Sequence, residues 1–120
     1  MDAEAVVRDL CGAFSRMDVD ELLGFFTPDA VYEKVPVGRF DGEAEIRGTL
    51  EVFFGPDVKV EFKILNLVCQ GNTVCVERRV EFETPAGEIS LPAMAIFEVN
   101  DAGKVTGWRD YFDRRQAGLD

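Results

Sequence analysis

The sequence predicts a single α+β domain, in which three helices in the N-terminal half close the concave face of a curved antiparallel sheet. Two observations carry this. Apolar residues recur at helical spacing up to Phe53 and at alternate positions from Val58 onward. The alternating half is interrupted only by short turn sequences: Gln70-Gly71-Asn72, Pro85-Ala86-Gly87 and Asn100-Asp101-Ala102-Gly103. Its strands therefore follow one another as hairpins. A length of 120 residues fits one domain spanning 1–120.

Each element has its own signal. Over 3–17, Val6, Leu10, Ala13, Phe14 and Met17 mark one side of a helix. Asp18 or Asp20 can cap a second, short helix carrying Leu22, Leu23, Phe25 and Phe26, which Thr27-Pro28-Asp29 ends. Residues 30–36 read as a short strand with Tyr32, Lys34 and Pro36 on one face, and 38–42 as a turn. Asp41 can cap a third helix with Ala44, Ile46, Leu50, Val52 and Phe53 on its apolar side. Strands follow over 58–69, 73–84, 88–99 and 104–113. The order is α-α-β-α-β-β-β-β, with no repeat or linker. Helices laid on one face of such a meander leave a cone between the layers, a natural ligand pocket.

Composition removes several functions. Thirteen basic residues face twenty-three acidic ones, a net charge of −10. Nucleic acid and anionic membranes both demand a basic face, so neither is expected as a partner. The polar, helical start and the lack of a long apolar run predict no signal peptide and a cytoplasmic protein. Histidine is absent, which excludes Ser-His and Cys-His nucleophiles, His bases and His-bound metals. Acid–base chemistry must use carboxylates, Tyr, Cys or Lys. Cys11, Cys69 and Cys75 match no zinc or redox spacing and read as reduced packing residues. Cys69 and Cys75 flank a turn, so a disulfide between them is geometrically open.

Two strands carry the candidate chemistry. Over 73–84, Val74, Val76, Arg78, Val80 and Phe82 share a face, and Cys75, Glu77, Arg79, Glu81 and Glu83 share the other. The second face alternates charges as a solvated surface does. Arg78 stands alone among apolar residues, where a guanidinium needs a carboxylate unless its stem only passes under the rim. Over 107–113, Trp108, Asp110 and Phe112 share a face. Two large aromatics flanking Asp110 turn it inward, and an Arg78–Asp110 pair would satisfy both groups. Such a pair is either structural or a carboxylate poised to take a proton in an apolar pocket. Tyr32 can point into the same cavity or pack in the core. Lys34 shares its face, as a site residue or a rim residue.

Leu91-Pro92-Ala93-Met94-Ala95-Ile96-Phe97-Glu98-Val99 with Gly107-Trp108-Arg109-Asp110-Tyr111-Phe112-Asp113 strongly resembles the limonene-1,2-epoxide hydrolase family. Glu77-Arg78 after a Val-x-Val strand and Tyr32-x-x-x-Pro36 resemble it too. The resemblance runs from the first helix to Asp113. It implies the nuclear transport factor 2-like cone fold, a homodimer formed through the outer sheet, and no cofactor. It also implies a one-step epoxide opening, in which one Asp activates water, a second Asp protonates the epoxide oxygen and an Arg orients both. Carried onto this chain, Asp110 is the base, Arg78 the bridging cation, Tyr32 a holder of the water and Trp108 a pocket wall. Two positions depart from the family's pattern. Val80 stands where the acid belongs, and Lys34 where a water-holding Asn belongs. A one-residue slip would restore an acid as Arg79-Val80-Glu81, at the expense of a bulge.

Three functions follow as expectations. The first is cofactor-free hydrolysis of a small apolar epoxide, with Lys34 or Glu81 as the acid. Its pocket would be walled by Trp108, Val80, Phe112, Leu50, Phe53 and Met94, which suits a terpene-sized or aromatic substrate. The second is acid–base isomerisation or polyketide-cyclase-like chemistry in that pocket. The third is non-catalytic binding of a small apolar ligand.

Overall fold

The structure is a computed structural model and describes residues 2–35 and 37–117. Helix α1 (Ala3–Ala13) runs into a single 3₁₀ turn (Phe14–Arg16) and a short α2 (Val19–Leu23). A hairpin of β1 (Phe26–Val35) and β2 (Gly38–Asp41) precedes α3 (Gly42–Phe53). Four long strands follow: β3 (Lys59–Gln70), β4 (Thr73–Thr84), β5 (Gly87–Val99) and β6 (Val105–Tyr111). They form one sheet in the order β2-β1-β6-β5-β4-β3. Every neighbouring pair is antiparallel except β1 and β6, which run parallel.

Local chemistry sets these boundaries. The Asp2 carboxylate caps α1 by accepting from the Glu4 and Ala5 N–H groups. Of the two candidate caps for α2, Asp18 does the work, accepting from the Glu21 N–H at 3.2 Å, while Asp20 binds Arg47. Asp41 occupies the N-cap position of α3, but its side chain accepts from Arg39 instead. Its own N–H donates to the Glu45 carboxylate. The β3–β4 hairpin turns on Gly71-Asn72, where Gly71 takes a φ of 59° that L side chains resist.

Three sequence expectations are corrected here. Thr27-Pro28-Asp29 belongs to β1 rather than to a helix stop. Pro28 has no N–H to give the ladder, and the β1–β6 register shifts between Phe26 and Val31 accordingly. The expected turn over 38–42 contains β2, which pairs with Val31–Lys34. Pro36, expected on the Tyr32 face, lies outside the described residues. The sheet is not wholly antiparallel either. β6 returns beside the first strand, and that parallel contact sets Tyr32 beside Trp108 and Lys34 beside Asp110.

The core lies between α1 and the inner sheet face. Val7, Leu10, Ala13 and Phe14 meet Val74, Val76, Ala95, Phe97 and Trp108, all close to fully buried. A bulge in β3 between Ile64 and Asn66 keeps Leu67 against the core by turning Leu65 and Asn66 both outward. Among the described residues, no helix is long and apolar enough to cross a membrane.

Candidate active site

Asp110 is the centre of the site because three strands aim donors at it. Arg78 on β4 is separated from it by the whole of β5. At that level β5 presents only Ala93, paired with Arg78, and Ala95, paired with Asp110. Two methyl groups let the guanidinium reach over an intervening strand. Arg78 Nη2 donates to Asp110 Oδ1 at 3.0 Å, and Trp108 Nε1 donates to the same oxygen at 2.8 Å. The Tyr32 hydroxyl donates to Oδ2 at 2.8 Å. Arg78 is 2 % exposed and Asp110 6 %.

The aromatic frame fixes these donors. The Tyr32 ring stacks on Trp108 at 3.8 Å between centroids, and the Arg78 guanidinium lies 4.4 Å over the Phe62 ring. Burial, the Asp110 charge and the hydrogen bond to it all hold the Tyr32 phenol well above its ordinary pKa. Tyr32 is thus a donor throughout the neutral range. Arg78 Nε and Nη1 are buried without a partner among the described residues. On the carboxylate, Oδ1 accepts two hydrogen bonds and Oδ2 one, so Oδ2 keeps a lone pair for a further proton or water.

Lys34 enters from β1, one register step from Tyr32 and on the same face. Its Nζ donates to Thr49 Oγ1 of α3 at 2.7 Å. The rings of Tyr32, Phe40 and Phe53 lie 5.5–5.7 Å from it. No carboxylate lies within ion-pair distance of it among the described residues. Burial lowers its pKa, and the more distant Asp110 charge opposes that shift.

These groups open into one cavity of about 400 Å³, within the range that encloses small ligands. Of the candidate site residues, Tyr32, Lys34, Leu50, Phe53, Arg78, Val80, Trp108, Asp110 and Phe112 line it. Two predicted members do not. Glu81 lies on the outer face, paired with Lys63 at 3.1 Å. The β4–β5 register is unbroken from Thr73 to Thr84, so no slip brings Glu81 in. Arg79 is exposed and Val80 stays inside. Met94 is 43 % exposed, because Ala93 and Ala95 take the inner positions on either side of it. Thr49, Phe62 and Ala93 were not legible as site residues. Thr49 at least falls on the Ile46–Leu50 side of α3. Cys11 is buried beneath the site, and burial pushes its thiol up to about 11, which leaves it unreactive. The three cysteines are free, so the Cys69–Cys75 bridge does not form. No group of three or more metal-binding His, Cys, Asp or Glu side chains exists among the described residues.

The sequence model of the SnoaL-like domain family matches residues 7–108, from α1 through most of β6. The chain belongs to the SnoaL-like family. The chain is 31 % identical over 107 residues to epoxide hydrolase EphG of Mycobacterium tuberculosis, covering 89 % of this chain and 70 % of EphG. The solved structure of an M. tuberculosis LEH-like epoxide hydrolase superposes with a TM-score of 0.82 at 30 % identity. That match spans 98 % of this chain and 88 % of the other. A Shewanella putrefaciens protein assigned as a SnoaL-like polyketide cyclase superposes at 0.86 with 18 % identity, over 98 % of this chain and 95 % of its own. This SnoaL-like chain therefore has the nuclear transport factor 2-like cone, and its relatives include proteins named as epoxide hydrolases.

Proposed function

We propose that the chain hydrolyses a small apolar epoxide without a cofactor. The observation that supports this best is the Asp110 carboxylate. It faces an apolar cavity and is oriented through Oδ1 by Arg78 and Trp108, with a lone pair of Oδ2 left for water. In this reading Oδ2 takes a proton from water as the water oxygen attacks an epoxide carbon. Tyr32, bonded to Oδ2, fixes the direction of that lone pair. The opening epoxide oxygen needs a proton from another quarter. Val80 has none to give, and Glu81 is outside. The Lys34 ammonium is then the acid, with Thr49 holding its Nζ at the cavity wall. Similarity to EphG, an epoxide hydrolase by name, agrees with this reaction class.

Val80 favours one alternative. A base facing a single mobile donor is enough for isomerisation or ring closure, where the Lys34 ammonium or the Tyr32 hydroxyl would stabilise an oxyanion. The two readings separate with styrene oxide in water labelled with heavy oxygen. Hydrolysis places the label in a stable diol, whereas isomerisation yields a carbonyl compound and no diol, whatever label the carbonyl takes up by exchange with water. Asp110→Asn should lower turnover by roughly 10²–10⁴-fold, the usual worth of a general base, while the near-ultraviolet circular dichroism is kept. Undiminished diol formation by that variant removes Asp110 from the mechanism.

A further inference from the structure

We propose that Lys34 is also a nucleophilic amine, which condenses with the carbonyl group of a small apolar aldehyde or ketone admitted to the cavity. This goes beyond epoxide hydrolysis, which uses the same nitrogen as an ammonium acid. Three features of its setting carry the inference. Lys34 lines the cavity, so a ligand can reach it. Its hydrogen-bond partner is the neutral Thr49 hydroxyl, and no carboxylate pairs with it among the described residues. Rings from β1, β2 and α3 lie 5.5–5.7 Å from it and take the place of part of its water, leaving it half-buried.

The other lysines are placed differently. Lys63 pairs with Glu81 on the outer face, and Lys104 donates to the Gly24 carbonyl at the surface. Lys59 is exposed. A desolvated amine without a counter-ion releases its proton more readily than a solvated one, and burial lowers the Lys34 pKa in that direction. Asp110, on the adjoining strand, is the charged group that opposes the release. Arg78 is engaged with Asp110.

The step balances simply. The free amine attacks the carbonyl carbon, a C–N bond forms, and the C=O pair moves to oxygen. A proton passes from nitrogen to that oxygen. The resulting carbinolamine takes up one more proton and loses water, leaving an iminium cation on Lys34.

Benzaldehyde with sodium cyanoborohydride tests this, because hydride from the reagent reduces the iminium to a stable benzylamine. Tryptic mapping should place one benzyl group on Lys34, formed several-fold faster than on Lys59, Lys63 or Lys104 at neutral pH, because the Lys34 nitrogen faces a ligand-sized cavity without a counter-ion. Lys34→Arg keeps the cation and should abolish the fast mark, with the slow ones unchanged. Asp110→Asn should trap as fast or faster, since it removes the charge that holds the proton on Lys34. It thereby separates this chemistry from hydrolysis. Marking spread evenly over the four lysines, or a fast mark that persists in Lys34→Arg, overturns the proposal.

Discussion

Arg78 and Lys34 bring positive charge to one cavity in opposite ways. Arg78 comes from β4, next to one edge strand of the sheet, and ends on a buried carboxylate that also accepts from Trp108 and Tyr32. Lys34 comes from β1, next to the opposite edge strand, and ends on a neutral hydroxyl inside a ring of aromatic side chains. The first arrangement locks a geometry. Guanidinium is charged at any working pH, and its fork and its bed on Phe62 admit little motion. The second leaves a protonation state adjustable, because the ammonium is desolvated and its opposing charge stands at a distance. In the proposed reaction these become a fixed base beside an adjustable proton carrier, the division of labour that acid–base catalysis needs.

The comparison breaks most sharply at Arg78. Arg78→Met leaves Asp110 buried with two neutral donors and no cation. Removing one partner of a buried pair typically costs about 3–5 kcal/mol, so urea unfolding should show a loss of that order. Adding Asp110→Leu should recover only part of it, since it removes the stranded charge but leaves the buried Trp108 and Tyr32 donors without their acceptor. A single-variant loss below about 1 kcal/mol, in the range of a surface ion pair, would show that Trp108 and Tyr32 suffice to hold the carboxylate.

Lys34 sharpens the comparison through pH. Its folded pKa lies below the ordinary lysine value of about 10.4, so at intermediate alkaline pH the unfolded chain binds the proton and the folded chain does not. Stability from this group therefore rises with pH, starting near the lowered folded value and ending near the ordinary one. The burial penalty is fully present below that window and relieved above it. Tyr32 and Cys11 act in the opposite sense. Their folded pKa values are raised, so the unfolded state ionises first and stability falls as pH climbs. Subtracting the profile of Lys34→Met from that of the unaltered protein removes both contributions. The difference should climb through the alkaline window, and a flat difference would mean that Lys34 is solvated as an ordinary surface lysine is.

How much of this was legible in the residues follows from the range of each interaction. The inward turn of Arg78 and Asp110 could be read because strand alternation is local and a lone charge in an apolar row demands a partner. The same logic shows where Met94 was misread. In Leu91-Pro92-Ala93-Met94-Ala95 the inner positions are 91, 93 and 95, and the small residues that seem unsuited to a pocket wall are what let Arg78 pass. β2 was hidden because Gly38-Arg39-Phe40-Asp41 is short and turn-like, and only pairing with β1 makes it a strand. Thr49 was hidden because its role exists only once α3 packs beside β1. The parallel β1–β6 contact has no local signature, yet it is what joins Tyr32 and Lys34 to Asp110.

The smallest expected effect belongs to Glu81, and it tests the two faces of β4 against each other. Arg78 and Glu81 are three residues apart, which places them on opposite sides of the sheet. Glu81 meets Lys63 in solvent, and its carboxyl is lowered by hydrogen bonds from Ser90 and Lys63. Exposed pairs of this kind are worth roughly 0–1 kcal/mol and are screened by salt. Glu81→Gln should therefore shift the unfolding midpoint by little, lose even that shift in high salt, and leave the pH profile of epoxide turnover unchanged. A collapse of turnover in Glu81→Gln would mean that β4 slips by one residue in solution. Arg79 and Glu81 would then enter the cavity, and the assignment of the acid would pass from Lys34 to Glu81.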